Sequence, residues 1–497
     1  MIKGKENTLI HVITVLVLIF SSLLFVGCND FNLSSKDETQ PQINSDHLEN
    51  LEPNTNSTSF IQQANKHFIQ LAEEIPEFGG IYLKDKGATI VVKLTQMEKV
   101  NKQDIKQNVK YYLSREVPVI AGSIQGGVDA MDISLEKATY RYSQLREWKN
   151  TINDPVLKTE GVTFTSLSQK DNKIHVGIKN VNSKNEISTI IENYKVPTGA
   201  VKVSVTGPIR ADVRSNTTSN RQIQTTTLRD MYRPLVGGLQ IEGYDGLGNI
   251  FSLCTYGFNA TRRSGGRYWL TNSHCTGGMF SVNPSDEYYQ PGINDGTGAY
   301  IGVEIQDPGW AECLPSYTCR YSDAALLELP ENQSWDFGGI ARTEYSAGPG
   351  EGAGSLVIDA NNPRFIIVDE AEEADYFEGL WLSKVGRTTG WTTGEITETC
   401  ATINNSDDGY LLFCQVLTTY YSEGGDSGSP VHASPYGWPD VDLYGIHWGS
   451  FIGGDQERIF SRITGVQEDL GVLRTHGRIR GGSNSDGAQN HVTMQNN

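Results

Sequence analysis

Gly424-Gly425-Asp426-Ser427-Gly428-Ser429-Pro430 sets one serine hydroxyl in a run of glycines. Serine is a weak nucleophile until a base takes its proton. Glycines ahead of it let the chain turn so that main-chain N–H groups converge where the oxyanion of a tetrahedral intermediate would form. The N–H groups of Gly425 and Ser427 are the expected donors. Taken alone, the run also reads as an ordinary Gly-rich turn. A base is offered by Trp269-Leu270-Thr271-Asn272-Ser273-His274-Cys275, an apolar strand that ends in a histidine, with a cysteine that can pin it back to Cys254. A lone histidine is more often structural. Ser322-Asp323-Ala324-Ala325-Leu326-Leu327 puts a carboxylate at the mouth of another apolar strand. There it can fix the imidazole tautomer and stabilise imidazolium, or serve a turn. The order His274, Asp323, Ser427 joins the three into one expectation: base, orienting acid and nucleophile of an acyl transfer.

In order, spacing and motif, these segments resemble the chymotrypsin-like serine peptidases, above all the bacterial branch of streptogrisins and alpha-lytic-type enzymes. Val385-Gly386-Arg387-Thr388-Thr389-Gly390-Trp391-Thr392 is similar to a segment of that branch. The resemblance covers about residues 233–475. It implies an all-β double six-stranded antiparallel barrel, with His274 and Asp323 on the first barrel and Ser427 on the second. Asp426 would be buried beside a cation, Arg387 or Lys384. Ser429 departs from the glycine that many members carry, although glutamyl endopeptidases carry serine there too. No cysteine pair brackets Ser427.

The resemblance also bears on which bond is cut. Trypsin-like members carry Asp six residues before the nucleophile; Tyr421 stands there, so cleavage after Lys or Arg is not expected. In Gly445-Ile446-His447-Trp448-Gly449, Trp448 and Gly449 correspond to the strand that pairs with substrate backbone. His447 looks like the histidine of bacterial glutamyl endopeptidases, which grips a substrate carboxylate together with a hydroxyl, here Ser422. A histidine can donate to a carboxylate, which would raise its pKa. Arg458 would help from the pocket floor. Glu423 argues the other way, because a carboxylate on the wall would repel an acidic side chain. The alternatives are a small or apolar preference, with His447 merely packed under the strand.

The elements that must position these residues are short. From Arg233 onward, strand-like runs alternate with Gly, Asn and Asp turns: 235–241, 249–258, 267–272, 299–305, 324–329, 364–369, 379–385, 393–399, 410–418, 429–433, 442–448 and 458–463. Helical periodicity returns only at about 463–473. Upstream the texture is α+β. A helix is expected over 58–75, a hairpin over 81–94 turning at 84–87, and helices over 102–116 and 134–150. A second hairpin is expected over 162–167 and 173–179, then a helix near 185–194 and a strand at 201–206, with a faint ββα echo between the halves. Streptogrisin-type enzymes are made with an N-terminal propeptide, so the resemblance gives residues 58–211 that role; a permanent adhesion or binding domain is the alternative. Residues 212–232, rich in Ser, Thr, Asn, Gln and Arg, read as a linker and 233–476 as the peptidase domain.

The 497 residues carry a formal net charge of -18, which argues against non-specific nucleic-acid binding. Lys3 and Lys5, an apolar run over 13–26 and Gly27-Cys28 read as an export signal over 1–28. Cys28 resembles a lipoprotein lipidation site, which would tie the chain to a membrane through a lipid; an ordinary secretory signal or an uncleaved anchor are the alternatives. Each makes the protein exported, held at the cell envelope or secreted after processing. Residues 29–57 read as a polar tether and 477–497 as a disordered tail. Beyond Cys28, the six remaining cysteines fall into local pairs, and 254–275, 313–319 and 400–414 are the favoured disulfides among fifteen connectivities. No cluster with metal-ligand spacing is visible, and no cofactor is expected. The expected partners are protein or peptide substrates and the chain's own pro-region. Two rivals stand beside this reading. One is an inactive chymotrypsin-like binding module at the cell surface. The other is an α/β-hydrolase esterase, which calls for Gly-x-Ser-x-Gly and the order Ser, acid, His, neither of which occurs.

Overall fold

The computed structural model describes residues 65–117, 132–212, 226–293, 298–309, 311–314, 317–405, 409–435, 437–453 and 457–477. The expected export signal, Cys28, the tether and nearly all of the expected tail lie outside these residues.

The upstream half runs through helix α1 (Lys66–Glu74), strands β1 (Phe78–Lys84) and β2 (Thr89–Leu94), helix α2 (Lys102–Glu116), strand β3 (Asp132–Lys137) and helix α3 (Tyr142–Leu157). Strands β4 (Val162–Ser168) and β5 (Lys173–Ile178), helix α4 (Lys184–Asn193) and strand β6 (Val201–Val205) follow. β1–β2 and β4–β5 are antiparallel hairpins, while β3 and β6 lie parallel to β2 and β5. The echo is therefore ββαβ, twice.

The helix expected over 134–150 is a correction. Residues 132–137 form β3, where Ile133 faces Ile90 and Leu135 faces Val92 of β2. The break before α3 is fixed from afar: the Asn172 side chain accepts the N–H groups of Thr139 and Tyr140, each at 2.9 Å. Local periodicity could not reveal a cap lent by a distant hairpin.

Downstream come β7 (Ile209–Ala211), β8 (Leu235–Gly237), β9 (Gln240–Tyr244), β10 (Ile250–Thr255), β11 (Asn259–Arg262), β12 (Gly265–Thr271), β13 (Glu287–Gln290) and β14 (Ala299–Gln306). They are followed by β15 (Ala311–Leu314), β16 (Tyr317–Arg320), β17 (Ala325–Glu328), β18 (Trp335–Ala341), β19 (Arg364–Glu370) and β20 (Trp381–Gly386). The last are β21 (Gly390–Asn405), β22 (Tyr410–Thr418), β23 (Pro430–Ala433), β24 (Asp440–Phe451), β25 (Arg458–Arg462) and helix α5 (Ile463–Leu470).

Two sheets carry the site. The first has seven strands in the order β10-β9-β13-β14-β17-β12-β11. It was expected to be a closed six-stranded barrel, but the pairings leave it open. Its end strands β10 and β11 are nevertheless consecutive in the chain, separated only by Tyr256–Phe258, so the sheet curls round on itself. Trp269 stacks on Tyr256 inside it, with ring centres 4.7 Å apart. In the second sheet β20, β21, β22, β25, β24 and β23 pair cyclically.

The upstream half is not set apart from this sheet. β4 pairs antiparallel with β21, Thr165 opposite Thr402 and Phe164 opposite Ile403. Glu378 accepts the N–H groups of Gln169 (2.6 Å) and Lys170 (3.0 Å) and the hydroxyl of Ser168 (3.0 Å). Phe377 packs into the cluster of Phe68, Phe78 and Tyr142. Disulfides join Cys254 to Cys275, Cys313 to Cys319 and Cys400 to Cys414. Among the described residues no helix is long and apolar enough to cross a membrane.

Candidate active site

β12 and β17 are antiparallel neighbours, with Thr271 opposite Ala325. His274 lies just past the end of β12 and Asp323 just before the start of β17, so the ladder delivers both to one end of the sheet. The Cys254–Cys275 disulfide ties the turn that carries His274 to β10. The Asn272 side chain donates to the Asp323 carbonyl at 2.6 Å. Asp323 is fully buried, and its N–H donates to Ser461 Oγ at 3.0 Å. Ser461 Oγ and Trp448 Nε1 both donate to Gln415 Oε1, at 2.8 and 2.9 Å. The carboxylate is thus braced on the second sheet as well as the first.

His274 stands between the other two side chains. Its Nδ1 is 2.5 Å from Asp323 Oδ2 and its Nε2 is 2.7 Å from Ser427 Oγ. Its own N–H donates to Asp323 Oδ1 at 3.1 Å. With Nδ1 donating to the carboxylate, Nε2 is left to accept the serine proton.

The turn bearing Ser427 is held by Asp426. This carboxylate is fully buried and 3.1 Å from Lys384 Nζ, also fully buried. It accepts the N–H groups of Thr388 (2.9 Å), Thr389 (3.1 Å) and Glu423 (3.1 Å) and the Thr389 hydroxyl (2.6 Å). Burial pushes the Asp426 carboxyl up, but the Lys384 charge and these hydrogen bonds outweigh it and hold it below its ordinary range. Of the two cations considered for Asp426, Lys384 makes the contact; Arg387 donates to Gln240 Oε1 at 2.9 and 2.7 Å. Gly425 has φ +101°, a backbone that L side chains rarely adopt, and a Cβ there would lie 2.5 Å from Thr388 Oγ1.

The N–H groups of Gly425 and Ser427 do converge, and something occupies their focus. Both donate to the main-chain oxygen of Asp212, the latter at 3.2 Å. The Asp212 N–H donates to the Trp448 carbonyl at 3.0 Å. β7, immediately before it, lies antiparallel to β24: Ala211 opposite Gly449, Arg210 opposite Ser450, Ile209 opposite Phe451. Gly449 has no side chain because the Arg210 carbonyl would be 2.8 Å from its Cβ.

The Asp212 side chain is fully buried in a polar pocket. Its Oδ2 accepts Ser422 Oγ at 2.5 Å and lies 3.0 Å from His447 Nε2. Its Oδ1 accepts Ser450 Oγ at 2.9 Å and lies 3.4 Å from Arg210 Nη2. The Tyr420 hydroxyl donates to His447 Nδ1 at 3.1 Å, so a neutral His447 carries its proton on Nε2 and gives it to Asp212. Burial raises the Asp212 carboxyl, but His447 and the two serine hydroxyls outweigh it and hold it well below the usual carboxylate range. The pKa rise expected for His447 does not appear: burial lowers it, and the pull of Asp212 restores only part. Arg458 is feeling the same carboxylate: burial lowers its guanidinium and the Asp212 charge opposes this. Glu423 is exposed and takes the Tyr421 hydroxyl, so it does not line the pocket.

Sequence reasoning missed Ser450 and placed Asp212 at the head of a linker. That assignment is corrected at both ends: Asp212 is buried in the pocket, and Leu228 is a core residue whose N–H donates to the Leu356 carbonyl at 2.9 Å. A signal existed, since Asp212 is the acid that closes the α+β region just ahead of the Ser/Thr/Asn-rich stretch. Among the described residues no group of side chains could hold a metal ion.

No protein-family model matches the chain, and no curated protein matches it. Solved structures do. A glutamic acid-specific serine protease, described as using a histidine triad in substrate binding, is 25% identical, over 48% of this chain and 99% of its own, with a TM-score of 0.32. Nocardiopsis protease is 17% identical over 49% of this chain and 98% of its own, TM-score 0.32. Thermobifida fusca protease A is 17% identical over 48% and 97%, TM-score 0.31. The structures that resemble this chain are therefore serine proteases. TM-scores below 0.5 leave its chemistry to be argued from the site.

Proposed function

We propose that the chain is an exported serine endopeptidase that cuts on the carboxyl side of acidic residues. The supporting observation is His274 within hydrogen-bond reach of both Ser427 Oγ and Asp323 Oδ2. In this reading Ser427 Oγ attacks the scissile carbonyl as His274 Nε2 takes its proton. Asp323 keeps the imidazole in the correct tautomer and steadies the imidazolium. The N–H groups of Gly425 and Ser427 receive the oxyanion. His274 returns the proton to the leaving amine, and water then hydrolyses the acyl-enzyme.

The acidic preference is supported by the pocket itself. Ser422, His447 and Ser450 together surround a carboxylate, and hydrogen bonds to a charged group are worth about 1.5–3 kcal/mol each. Trp448 and Gly449 offer the edge along which substrate backbone lies. Residues 58–211 act as a pro-region, consistent with the strand that they lay across the site. Antiparallel sheets with long-range pairing fold slowly, and a docked pro-region helps such a fold form. Export and attachment through Cys28 belong to the same proposal.

Fluorophosphonate labelling of the matured protein should modify Ser427 and abolish casein hydrolysis. A peptide library should show cuts after Glu and Asp. Equal turnover with Leu at that position defeats the acidic reading, and absence of labelling defeats the enzyme.

A further inference from the structure

Asp212 is not beside the site but in it, in the pose of a residue about to be cut. Its carbonyl oxygen takes both N–H groups at the oxyanion position, its N–H is held by the Trp448 carbonyl, and residues 209–211 pair with β24 as a substrate strand would. Its side chain fills the carboxylate pocket through Ser422, His447 and Ser450. Ser427 Oγ is 2.7 Å from its base, on the same residue whose N–H holds the Asp212 carbonyl oxygen.

We infer that the chain processes itself in cis at the bond following Asp212, and that the new Asp212 carboxyl end then stays in the oxyanion position as a product inhibitor. The inference rests on the acyl-transfer reading above and adds the substrate and the bond. Ser427 Oγ adds to the Asp212 carbonyl carbon while its proton passes to His274 Nε2. The C–N bond to Val213 breaks as His274 protonates the departing amine, leaving an ester between Ser427 and Asp212. Water adds to that ester and gives a proton to His274. The ester bond breaks, Oγ is reprotonated, and the products are a carboxylate on Asp212 and a free amine on Val213. Nothing but water is consumed. The severed pro-region remains attached through the β4–β21 ladder and the Glu378 contacts with Ser168, Gln169 and Lys170, so cutting precedes release.

The test uses the full chain made by cell-free translation, with mass spectrometry of the fragment ends. Wild type should give a fragment beginning at Val213, at a first-order rate that does not change on tenfold dilution. Ser427→Ala should stay whole. Asp212→Asn should slow cleavage at this bond by roughly a hundredfold, and Asp212→Glu should keep most of the rate. A rate that falls in proportion to dilution overturns the cis step. A Val213 end in Ser427→Ala overturns self-processing. A mature fragment that starts elsewhere yet cuts Glu and Asp peptides overturns this inference and leaves the proposed function standing. A Val213 end in an enzyme that cuts peptides after Leu as readily as after Glu supports this inference and removes the acidic preference. The wild-type end and the dilution series require no variant to fold.

Discussion

The main-chain oxygen of Asp212 lies against the amide of Ser427, 3.2 Å away, and against that of Gly425 on its other side. The residue that ends the upstream half is therefore held by the two amides proposed above to receive the oxyanion, and the pocket can be probed with the chain's own side chain as reference.

Asp323→Asn should leave the geometry nearly intact but favour the wrong imidazole tautomer. In the matured peptidase kcat should fall roughly ten-thousandfold with little change in KM. Steady-state kinetics on an acidic peptide substrate gives both numbers, and a loss confined to KM counts against the orienting role of Asp323.

Ser450→Ala removes one of the hydroxyls on the Asp212 carboxylate. For matured enzyme, kcat/KM on Glu and Asp peptides should drop about tenfold or more, the effect of one hydrogen bond to a charged group. Slow turnover of Leu peptides should not change. Paired assays on peptides that differ only at that residue measure the ratio.

Lys384→Met strands the Asp426 carboxylate in the interior. Breaking a buried pair by removing one partner costs about 3–5 kcal/mol, so the urea midpoint of the Ser427→Ala chain should fall by a corresponding amount. Adding Asp426→Asn to Lys384→Met should recover part of the loss, because the unpaired charge is gone.

Seating of Asp212 should depend on pH in one direction. Its carboxyl is held below the ordinary value of 3.8 when seated. A group depressed in the bound state contributes fully above its free value and loses that contribution as pH falls below it. In the Ser427→Ala chain, hydrogen-exchange protection of the amides at 425 and 427 should stay level from pH 8 to about 5 and weaken below about 4. Asp212→Asn should show no such acid-dependent loss.

Much of this arrangement was legible in the sequence, and the rest was hidden for physical reasons. The run 410–418 became β22, buried along its whole length, and its nearly continuous apolar character is what composition reveals. β11 and β13 escaped notice: Asn259–Arg262 and Glu287–Gln290 are short and polar and exist because neighbouring strands supply their partners. His274, Asp323 and Ser427 could be named because each closes a recognisable motif. Ser450 could not, since a serine on a strand carries no mark of what faces it. Asp212 was hidden for a related reason: apart from Arg210, its side-chain partners Ser422, His447 and Ser450 are far along the chain, and nothing local tells a linker acid from a docked one.

The shared ladder between Thr165 and Thr402 has an outcome for the finished protein. If the proposed processing releases the upstream half, Thr402 and Ile403 lose the neighbour that masks their main chain on that side. A bare margin of this kind is a template for any extended peptide. Under the proposed processing, shedding the guard of the cleft would also open a sticky seam on the flank, where a second molecule, or the discarded piece itself, could re-anneal.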